Sequence, residues 1–238
     1  MRIAIVSDIH GNLTALEAVL TDLRITAPDL ILHGGDLADG SAPAETVDQI
    51  RELGWQGVHG NTDEMLYSPD KLRVFAEGAP GLRKIFDAVE DIAGVTRAAL
   101  GEERLAWLKS LPSVQRADVV ALVHASPGDA WRAPGAEAAD AELEATYRVL
   151  ERPVAVYGHI HRPFVRRVGA MAVANGGSVS LSYDGDTRAS YLLIDDAVPV
   201  IRRVAYDVEA ECRSMIQRGV PHADWVGAML RSGRFQIP

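Results

Sequence analysis

The chain has 238 residues, of which 47% are apolar and 24% charged, and its formal net charge is −9. This length and composition are ordinary for a protein with a sizeable buried core. The negative charge argues against a large sequence-independent contact with nucleic acid, because such contacts need a basic face. We expect neither that kind of contact nor sequence-specific recognition of nucleic acid.

The N-terminal residues and the single cysteine bear on where the protein works. Residues 2–7 are an apolar run that leads directly into Asp8, without the cleavage site of a signal peptide. Cys212 is the only cysteine, so no internal disulfide can form. No apolar stretch approaches the length of a membrane span. We therefore expect a soluble, cytoplasmic protein without a membrane partner, whose oligomeric state the sequence does not determine.

The first quarter of the chain alternates between strand and helix patterns. Apolar runs predict strands at 2–7, 30–32 and 56–59, and helical spacing predicts helices between them, the first capped by Asn12 and the second over 44–53. Strands that alternate with helices in this way predict right-handed crossovers and a parallel sheet.

The middle of the chain is mostly helical and then returns to strands. Residues 64–112 predict helices with breaks at 78–81 and 93–94, and an amphipathic helix over 100–111 that ends at Pro112. Strands are predicted at 119–123 and 154–157, with a helix over 138–150 between them. We expect the stretch 64–112 to form a cap over the carboxyl ends of the strands.

The last third of the chain predicts hairpins followed by helices. Short strands at 164–168, 171–174, 189–194 and 200–204 are separated by Gly and Asp turns, and two helical segments within 207–232 are split at 219–221. The predicted fold is α/β: a four-layer α/β/β/α sandwich with mixed sheets, the early parallel strands in one sheet and the later hairpins in the second. We expect one domain over residues 1–238.

Metal-binding side chains follow five of the predicted strands. They are Asp8, His10, Asp36, Asn61, His124, His159 and His161. In open α/β sheets, ligand sites lie at the carboxyl ends of the strands, so these side chains are expected to converge. Carboxylate and amide oxygens with imidazole nitrogens suit manganese, iron, nickel or zinc, and seven ligands are enough for two divalent ions. Two adjacent ions are a recurrent means of cleaving phosphate esters.

Each of these residues has an ordinary structural interpretation when taken alone. A single Asp after a strand is usually a cap or turn residue, and a single His is usually a core or surface histidine. His33 and His59 fit that interpretation, with at most an indirect role beside the ligands, and His222 fits a surface cap. Seven ligand-type residues at five strand ends are hard to explain by capping, so the joint pattern favours a metal site.

The motifs resemble those of the calcineurin-like metallophosphoesterase superfamily, which read D-x-H, G-D, G-N-H-D/E, H and G-H-x-H. Here they stand as Asp8-Ile9-His10, Gly35-Asp36, Gly60-Asn61-Thr62-Asp63, His124 and Gly158-His159-Ile160-His161. Residues 175–179 are similar to the small bacterial and archaeal phosphodiesterase-like branch, except that Gly176 replaces the usual proline. The resemblance implies that Asp8, His10 and His161 bind one metal, that Asn61, His124 and His159 bind the other, and that Asp36 bridges them.

The resemblance also implies an activity: hydrolysis of a small phosphorylated substrate by in-line attack of a hydroxide that bridges the two ions. Asp36, His124 and His159 would then act in catalysis through the metals. Thr62 stands where many members place a histidine that protonates the leaving group, and threonine cannot do this near neutral pH. We therefore expect phosphodiesters or phosphoanhydrides to be better substrates than alkyl monoesters.

Two interpretations other than an enzyme are open from the sequence. The superfamily includes a retromer subunit that serves in binding and has lost ligands, so a non-catalytic metal-binding scaffold is one alternative. A regulatory protein that uses the metals without hydrolysis is the other. All seven ligand positions are filled in this chain, which favours the enzyme. His33, His59 and Arg132 are secondary candidates for contacts near the site.

Overall fold

The computed structural model describes residues 1–238, and two mixed five-stranded sheets form its centre. The strands are β1 (Ile3–Val6), β2 (Leu30–His33), β3 (Gln56–Gly57), β4 (Val114–Ala117), β5 (Val120–Val123), β6 (Val154–Tyr157), β7 (Phe164–Val168), β8 (Met171–Asn175), β9 (Ala189–Asp195) and β10 (Val198–Val204). The first sheet has the order β10-β9-β1-β2-β3 and the second has the order β4-β5-β6-β8-β7.

Eight α-helices surround the sheets. They are α1 (Leu13–Thr26), α2 (Pro43–Glu52), α3 (Asn61–Tyr67), α4 (Asp70–Glu77), α5 (Arg83–Ser110), α6 (Asp140–Tyr147), α7 (Val208–Gln217) and α8 (Ala223–Ser232). The helix α1 begins as predicted, because the Asn12 side chain accepts a hydrogen bond from the amide of Ala15 at 2.9 Å. None of the eight is both long and apolar enough to cross a lipid bilayer.

The alternation of side chains along the strands creates a four-layer arrangement. Ile3 and Ile5 of β1 pack against Val154 and Val156 of the second sheet, so an apolar core lies between the sheets. Ala4 and Val6 point the other way and pack against helices that include α1 and α2. On the far side, the second sheet packs against α6. The predicted α/β/β/α sandwich is confirmed.

The composition of the two sheets differs from the prediction. The hairpin β9–β10 joins the first sheet, where β9 pairs antiparallel with β1. The second sheet is formed by β5 and β6, by the hairpin β7–β8, and by a strand β4 that the sequence does not predict. The apolar pattern of a hairpin shows that one face of its strands is buried, but it does not show which sheet the hairpin joins. The pairing of β9 with β1 therefore could not be predicted from the sequence of the hairpin alone.

Most predicted elements are present with shifts of a few residues, but the helical region contains one error. The predicted break at 93–94 does not exist, since both residues lie within α5. The actual interruption is at Gly101, whose backbone has φ 66° and ψ 175°. The break at 78–81 is confirmed, and so is the division between α7 and α8.

Candidate metal centre

The strand order brings the seven predicted ligand residues to one edge of the sandwich. Asp8 and His10 follow β1, and Asp36 follows β2, which lies parallel to β1. His124 follows β5, and His159 and His161 follow the parallel neighbour β6. Asn61 is the first residue of α3, just after β3. The face-to-face packing of the sheets then sets ligands from both sheets opposite each other.

One group of ligand atoms comes from both sheets. Asp8, His10, Asp36 and His161 are all buried, and each offers one ligand atom within 4.8 Å of the others. The Nε2 atom of His161 lies 3.1 Å from Oδ1 of Asp8 and 3.2 Å from Nε2 of His10. Three ligands of this group, Asp8, His10 and His161, are the set implied for one metal.

The second group contains Asn61, His124 and His159. The Oδ1 atom of Asn61 lies 3.0 Å from Nε2 of His124 and 2.9 Å from Nδ1 of His159. Asp36 lies between the two groups, because its Oδ1 is 3.5 Å from Nε2 of His124 and its Oδ2 is 3.8 Å from Nε2 of His10. Asp36 therefore presents one oxygen to each group.

Backbone carbonyls orient two of the imidazole rings. The Nδ1 atom of His124 lies 2.8 Å from the carbonyl oxygen of Gly34, and that of His161 lies 2.6 Å from the carbonyl oxygen of Leu181. A carbonyl only accepts, so Nδ1 carries the proton in both rings and donates it. The Nε2 atom of each ring faces the other ligands, so it is the nitrogen available to bind a metal, as in protein metal sites.

Five of the seven ligand residues have a left-handed backbone. The φ angles are 56° at Asp8, 48° at His10, 54° at Asp36, 67° at His159 and 55° at His161. Such angles are uncommon outside glycine and cost free energy, and they persist where the surrounding structure imposes them. This concentration at one edge of the sheets indicates a functional site.

The charges of the site suit cations. Burial lowers the pKa of both His10 and His159 to about 4, so these rings are neutral at neutral pH. Burial would raise the pKa values of Asp8 and Asp36, but the neighbouring histidines, His161 for Asp8 and His124 for Asp36, outweigh it, and both pKa values are lowered. Neutral imidazoles and ionised carboxylates are the states in which these groups bind metal.

Two features indicate that the residues fit a metal rather than each other. The Oδ2 atom of Asp8 is buried and has no hydrogen-bond partner, although buried carboxylate oxygens are normally paired. His124 is the exception: burial lowers its pKa, but the charge of Asp36 outweighs this and raises it to about 10, so without a metal this ring is protonated and pairs with Asp36, and a cation would have to displace that proton. The donor set of nitrogens and oxygens suits a divalent transition metal.

Residues 1–197 match the model of the calcineurin-like phosphoesterase superfamily domain. The chain belongs to this superfamily. The predicted membership is thereby confirmed, and with it the prediction that the chain is a phosphoesterase, a hydrolase of a metal-dependent family.

Solved and curated relatives agree with membership of the superfamily. A metallophosphoesterase from Sphaerobacter thermophilus is 29% identical, with a TM-score of 0.77 over 98% of this chain and 99% of that one. Phosphodiesterase YfcE of Escherichia coli K12 is 24% identical over 84% of this chain and 91% of its own. A symmetrical bis(5'-nucleosyl)-tetraphosphatase from Methylococcus capsulatus is 33% identical, over 60% of this chain and 50% of its own.

Two residues of the motif segments support the ligand loops without belonging to the ligand groups. The carboxylate of Asp63 accepts hydrogen bonds from the backbone amides of Asp36 at 2.8 Å, Leu37 at 2.9 Å and Gly60 at 2.9 Å. The hydroxyl of Ser178 donates to the carbonyl of Asp8 at 2.7 Å. The bonds from Asp36 and Leu37 to Asp63, and from Ser178 to Asp8, join segments that are distant along the chain, whereas the Gly60 bond is local, so both residues hold the ligand loops in place.

Thr62 occupies the position that the superfamily motif gives to histidine. Its backbone amide donates to Oδ1 of Asp36 at 2.9 Å, and the residue borders a cavity beside the ligands. Its hydroxyl is buried and has no hydrogen-bond partner. A threonine here supplies a weak hydrogen bond at most and no proton donor active near neutral pH.

The secondary candidates lie outside the ligand groups. His33 is fully buried, with both ring nitrogens unpartnered, and its ring centre is 6.2 Å from that of Trp107. The Nδ1 atom of His59 lies 3.1 Å from the carbonyl oxygen of Leu111. Arg132 has a side chain 70% exposed and lies over the ring of Phe75, at 5.1 Å from its centre. None of the three offers an atom to the ligand groups.

Sequence reasoning missed two residues that border the ligands. The ring of Tyr183 stacks on His161, with ring centres 4.7 Å apart and planes 19° apart. Asp39 borders the same cavity as His10 and Asp36, and its Oδ1 is buried without a partner. Asp39 lies three residues after Asp36, and this second carboxylate near the G-D motif was a signal in the sequence. Tyr183 lies in a turn that contains no motif, so the sequence offered no signal for it.

Proposed function

We propose that this phosphoesterase is dinuclear and that it hydrolyses a phosphodiester or a phosphoanhydride in preference to an alkyl monoester. The observation that carries the proposal is the division of seven ligands into two groups, with one oxygen of Asp36 directed at each. When bound, two divalent ions would activate a water for in-line attack and neutralise charge on the phosphoryl oxygens.

The side chains have distinct tasks in this proposal. Asp8, His10 and His161 hold one ion, Asn61, His124 and His159 hold the other, and Asp36 bridges them. The carbonyls of Gly34 and Leu181 accept hydrogen bonds from Nδ1 of His124 and His161, so Nε2 of each ring is the nitrogen that would bind an ion. Manganese, iron, zinc and nickel all fit this mixture of nitrogen and oxygen ligands.

Thr62 determines the preferred leaving group in this proposal. No histidine stands beside the departing oxygen, so the oxygen leaves with its own charge. Aryl oxide and phosphate leaving groups are stable enough to depart as anions, whereas alkoxides are too basic to do so without a proton. Two relatives support phosphodiesters and phosphoanhydrides as substrates, since one is named as a phosphodiesterase and the other as a bis(5'-nucleosyl)-tetraphosphatase.

The test is a hydrolysis screen on protein stripped of metal. Manganese, iron, nickel, zinc or magnesium is added separately, and aryl monoesters, aryl diesters and dinucleoside polyphosphates are offered as substrates. We expect activity that requires added metal and that is greatest with diesters or anhydrides. A properly folded, metal-loaded protein that cleaves none of them would favour the non-catalytic scaffold instead.

We also propose that residues 1–238 form one domain in the cytoplasm. The hydroxyl of Thr14 in α1 donates to the carboxylate of Glu211 in α7 at 2.8 Å, which ties the C-terminal helices to the first sheet's helical layer. The lone, buried Cys212 suits a reducing compartment. Limited proteolysis is expected to yield no stable fragment that lacks α7 and α8.

A further inference from the structure

An apolar cavity adjoins the ligand groups. Its volume is about 280 Å³, close to the lower end of the range for small-molecule sites, which is roughly 300–1,000 Å³. His10, Asp36 and Asn61 form part of its wall, and 17 of the 28 residues that line it are hydrophobic. A molecule in this cavity would therefore touch both the ligands and an extended apolar surface.

Helices from two distant parts of the chain form the apolar walls. The lining of the cavity includes Phe75 of α4 and Val89 of α5, and also Trp225 and Val226 of α8. These four side chains are half-buried. Large apolar side chains that face a cavity next to a polar site leave a surface for an apolar ligand group to cover.

The charged residues of the cavity limit what the remainder of the ligand can be. Apart from the histidines, its ionisable side chains are Asp36, Asp39, Tyr183 and Glu211, and it contains no lysine or arginine. Additional phosphates would find no cationic side chain in this cavity, so the part of the ligand that occupies it should carry no further negative charge.

We propose that the substrate is a phosphate ester with a long apolar group, and that this group occupies the cavity while the phosphate lies at the metal centre. The inference rests on the proposed function, since it identifies the substrate class of the same site. Continuity between the cavity and the ligand side chains favours an occupant that carries the phosphate itself over a helix of another protein.

Binding provides a test that does not depend on turnover. Octyl phosphate and methyl phosphate are titrated calorimetrically into zinc-loaded protein at several temperatures. Each buried methylene should tighten binding by roughly fourfold, and octyl phosphate should show a more negative heat-capacity change. Equal affinities for the two phosphates would overturn the inference.

A matched pair of variants locates the apolar group. Val89→Asp places a charge in the cavity wall, whereas Val95→Asp places one on the same helix at a residue that is 43% exposed and does not line the cavity. We expect Val89→Asp to lose most of the preference for octyl over methyl phosphate and Val95→Asp to keep it. Val89→Phe, which fills the cavity without charge, should shift the preference to shorter chains. The same effect in both Asp variants, with both folded by circular dichroism, would contradict the placement.

Hydrolysis separates this inference from the proposed function. p-Nitrophenyl esters of methyl and octyl phosphate share one leaving group and differ only in the apolar group. We expect kcat/KM to be at least about tenfold higher for the octyl diester, a gain that burial of about two of its seven additional methylenes would supply. Metal-dependent hydrolysis with equal kcat/KM would overturn the inference and leave the function standing. Tighter binding of octyl phosphate without hydrolysis of either ester would support the inference and contradict the function.

Discussion

Single residues determine the arrangement of the metal centre, and Asp36 has the central place. Its two oxygens face different ligand groups, and its loop is held by Asp63, which accepts hydrogen bonds from the amides of Asp36, Leu37 and Gly60. A Cβ on Gly60 would clash with the Asp36 carboxylate, so the close approach of the two loops requires glycine there. The bridging position therefore depends on its neighbours as much as on Asp36 itself.

Asp36→Asn should remove the bridging charge from both proposed metal sites. We expect the metal content of the purified protein to fall from two ions to one or fewer, and activity to fall by more than the roughly 10–100-fold that loss of an outer hydrogen bond costs. Elemental analysis of the protein, with kinetics on an aryl diester, measures both. Two ions retained with near-normal activity would contradict a bridging role.

The histidines divide into ligands and neighbours. His124→Ala and His159→Ala should lower activity by more than about 100-fold, because each would remove a direct ligand. His33→Gln and His59→Gln should cost less than about 100-fold, since these rings offer no atom to the ligand groups. Steady-state kinetics at saturating metal compares the four. Similar, mild losses at all four positions would show that the ligand assignment is wrong.

Thr62 predicts how the rate responds to the leaving group. With aryl phosphate esters of graded leaving-group pKa, the wild-type rate should fall steeply as that pKa rises. Thr62→His should flatten this dependence and help the poorest leaving groups most, because imidazole can protonate the departing oxygen. Single-turnover rates are required, since slow product release would conceal the trend. A flat wild-type series would mean that another residue already acts as the acid.

Among the secondary-structure elements, α5 differs most from its predicted form. The sequence predicts an interruption at Gly94, but this glycine is exposed and helical, and a Cβ atom there would meet open space. Gly101 has the angles φ 66° and ψ 175°, which residues with side chains rarely adopt, and it divides the helix into two parts. Residue type alone does not distinguish the two glycines, and the sequence-based prediction places the break at the wrong one, within 93–94, while it extends a helix over 100–111 through Gly101.

These two glycines make a matched pair for a stability measurement. Gly101→Ala should destabilise the protein by about 1–3 kcal/mol, because alanine is strained in that conformation. Gly94→Ala should stabilise it by about 0.5–1 kcal/mol, because alanine favours the helical conformation that Gly94 already has. Denaturant unfolding of both variants measures the free energies. Stabilisation by Gly101→Ala would show that the interruption of α5 is not a strained glycine conformation.

Across the whole molecule, buried titratable groups couple stability to pH in opposite directions. Burial lowers the pKa of His33 to about 4, and burial raises that of Asp63 to about 7. The histidine resists protonation in the folded state, and the carboxyl resists ionisation. The contributions of His33 and Asp63 to the pH dependence of stability can be separated by comparing the free energy of unfolding of the wild type with that of a variant in which one of the two residues is replaced.

His33→Gln tests the histidine contribution. Between pH 6.5 and 4 the unfolded chain protonates residue 33 and the folded chain does not, so the wild type loses stability over this interval as pH falls. Glutamine does not titrate, so the free-energy difference between wild type and variant should change by about 3 kcal/mol from pH 7 to 4. Denaturant unfolding of the metal-free proteins at several pH values measures it. A difference independent of pH would mean that His33 protonates freely in the folded protein.

Local sequence information is sufficient to predict the ligand residues, the strand–helix alternation and the four-layer class. Side chains of metal-binding type stand directly after apolar runs, and apolar residues recur with periods of two or about four along the chain. Superfamily membership follows from the same motifs, which depend on order and spacing alone.

The remaining features depend on contacts between residues distant along the chain, so they follow only from the tertiary structure. The hairpin β9–β10 joins β1 across more than half the sequence, and α5 and α8 both contribute side chains to the apolar cavity. The periodicity of apolar residues indicates which face of each helix or strand is buried, but it does not indicate which other element packs against that face. The division of the ligands around Asp36 and the cavity beside them exist only once both sheets and the C-terminal helices are packed together.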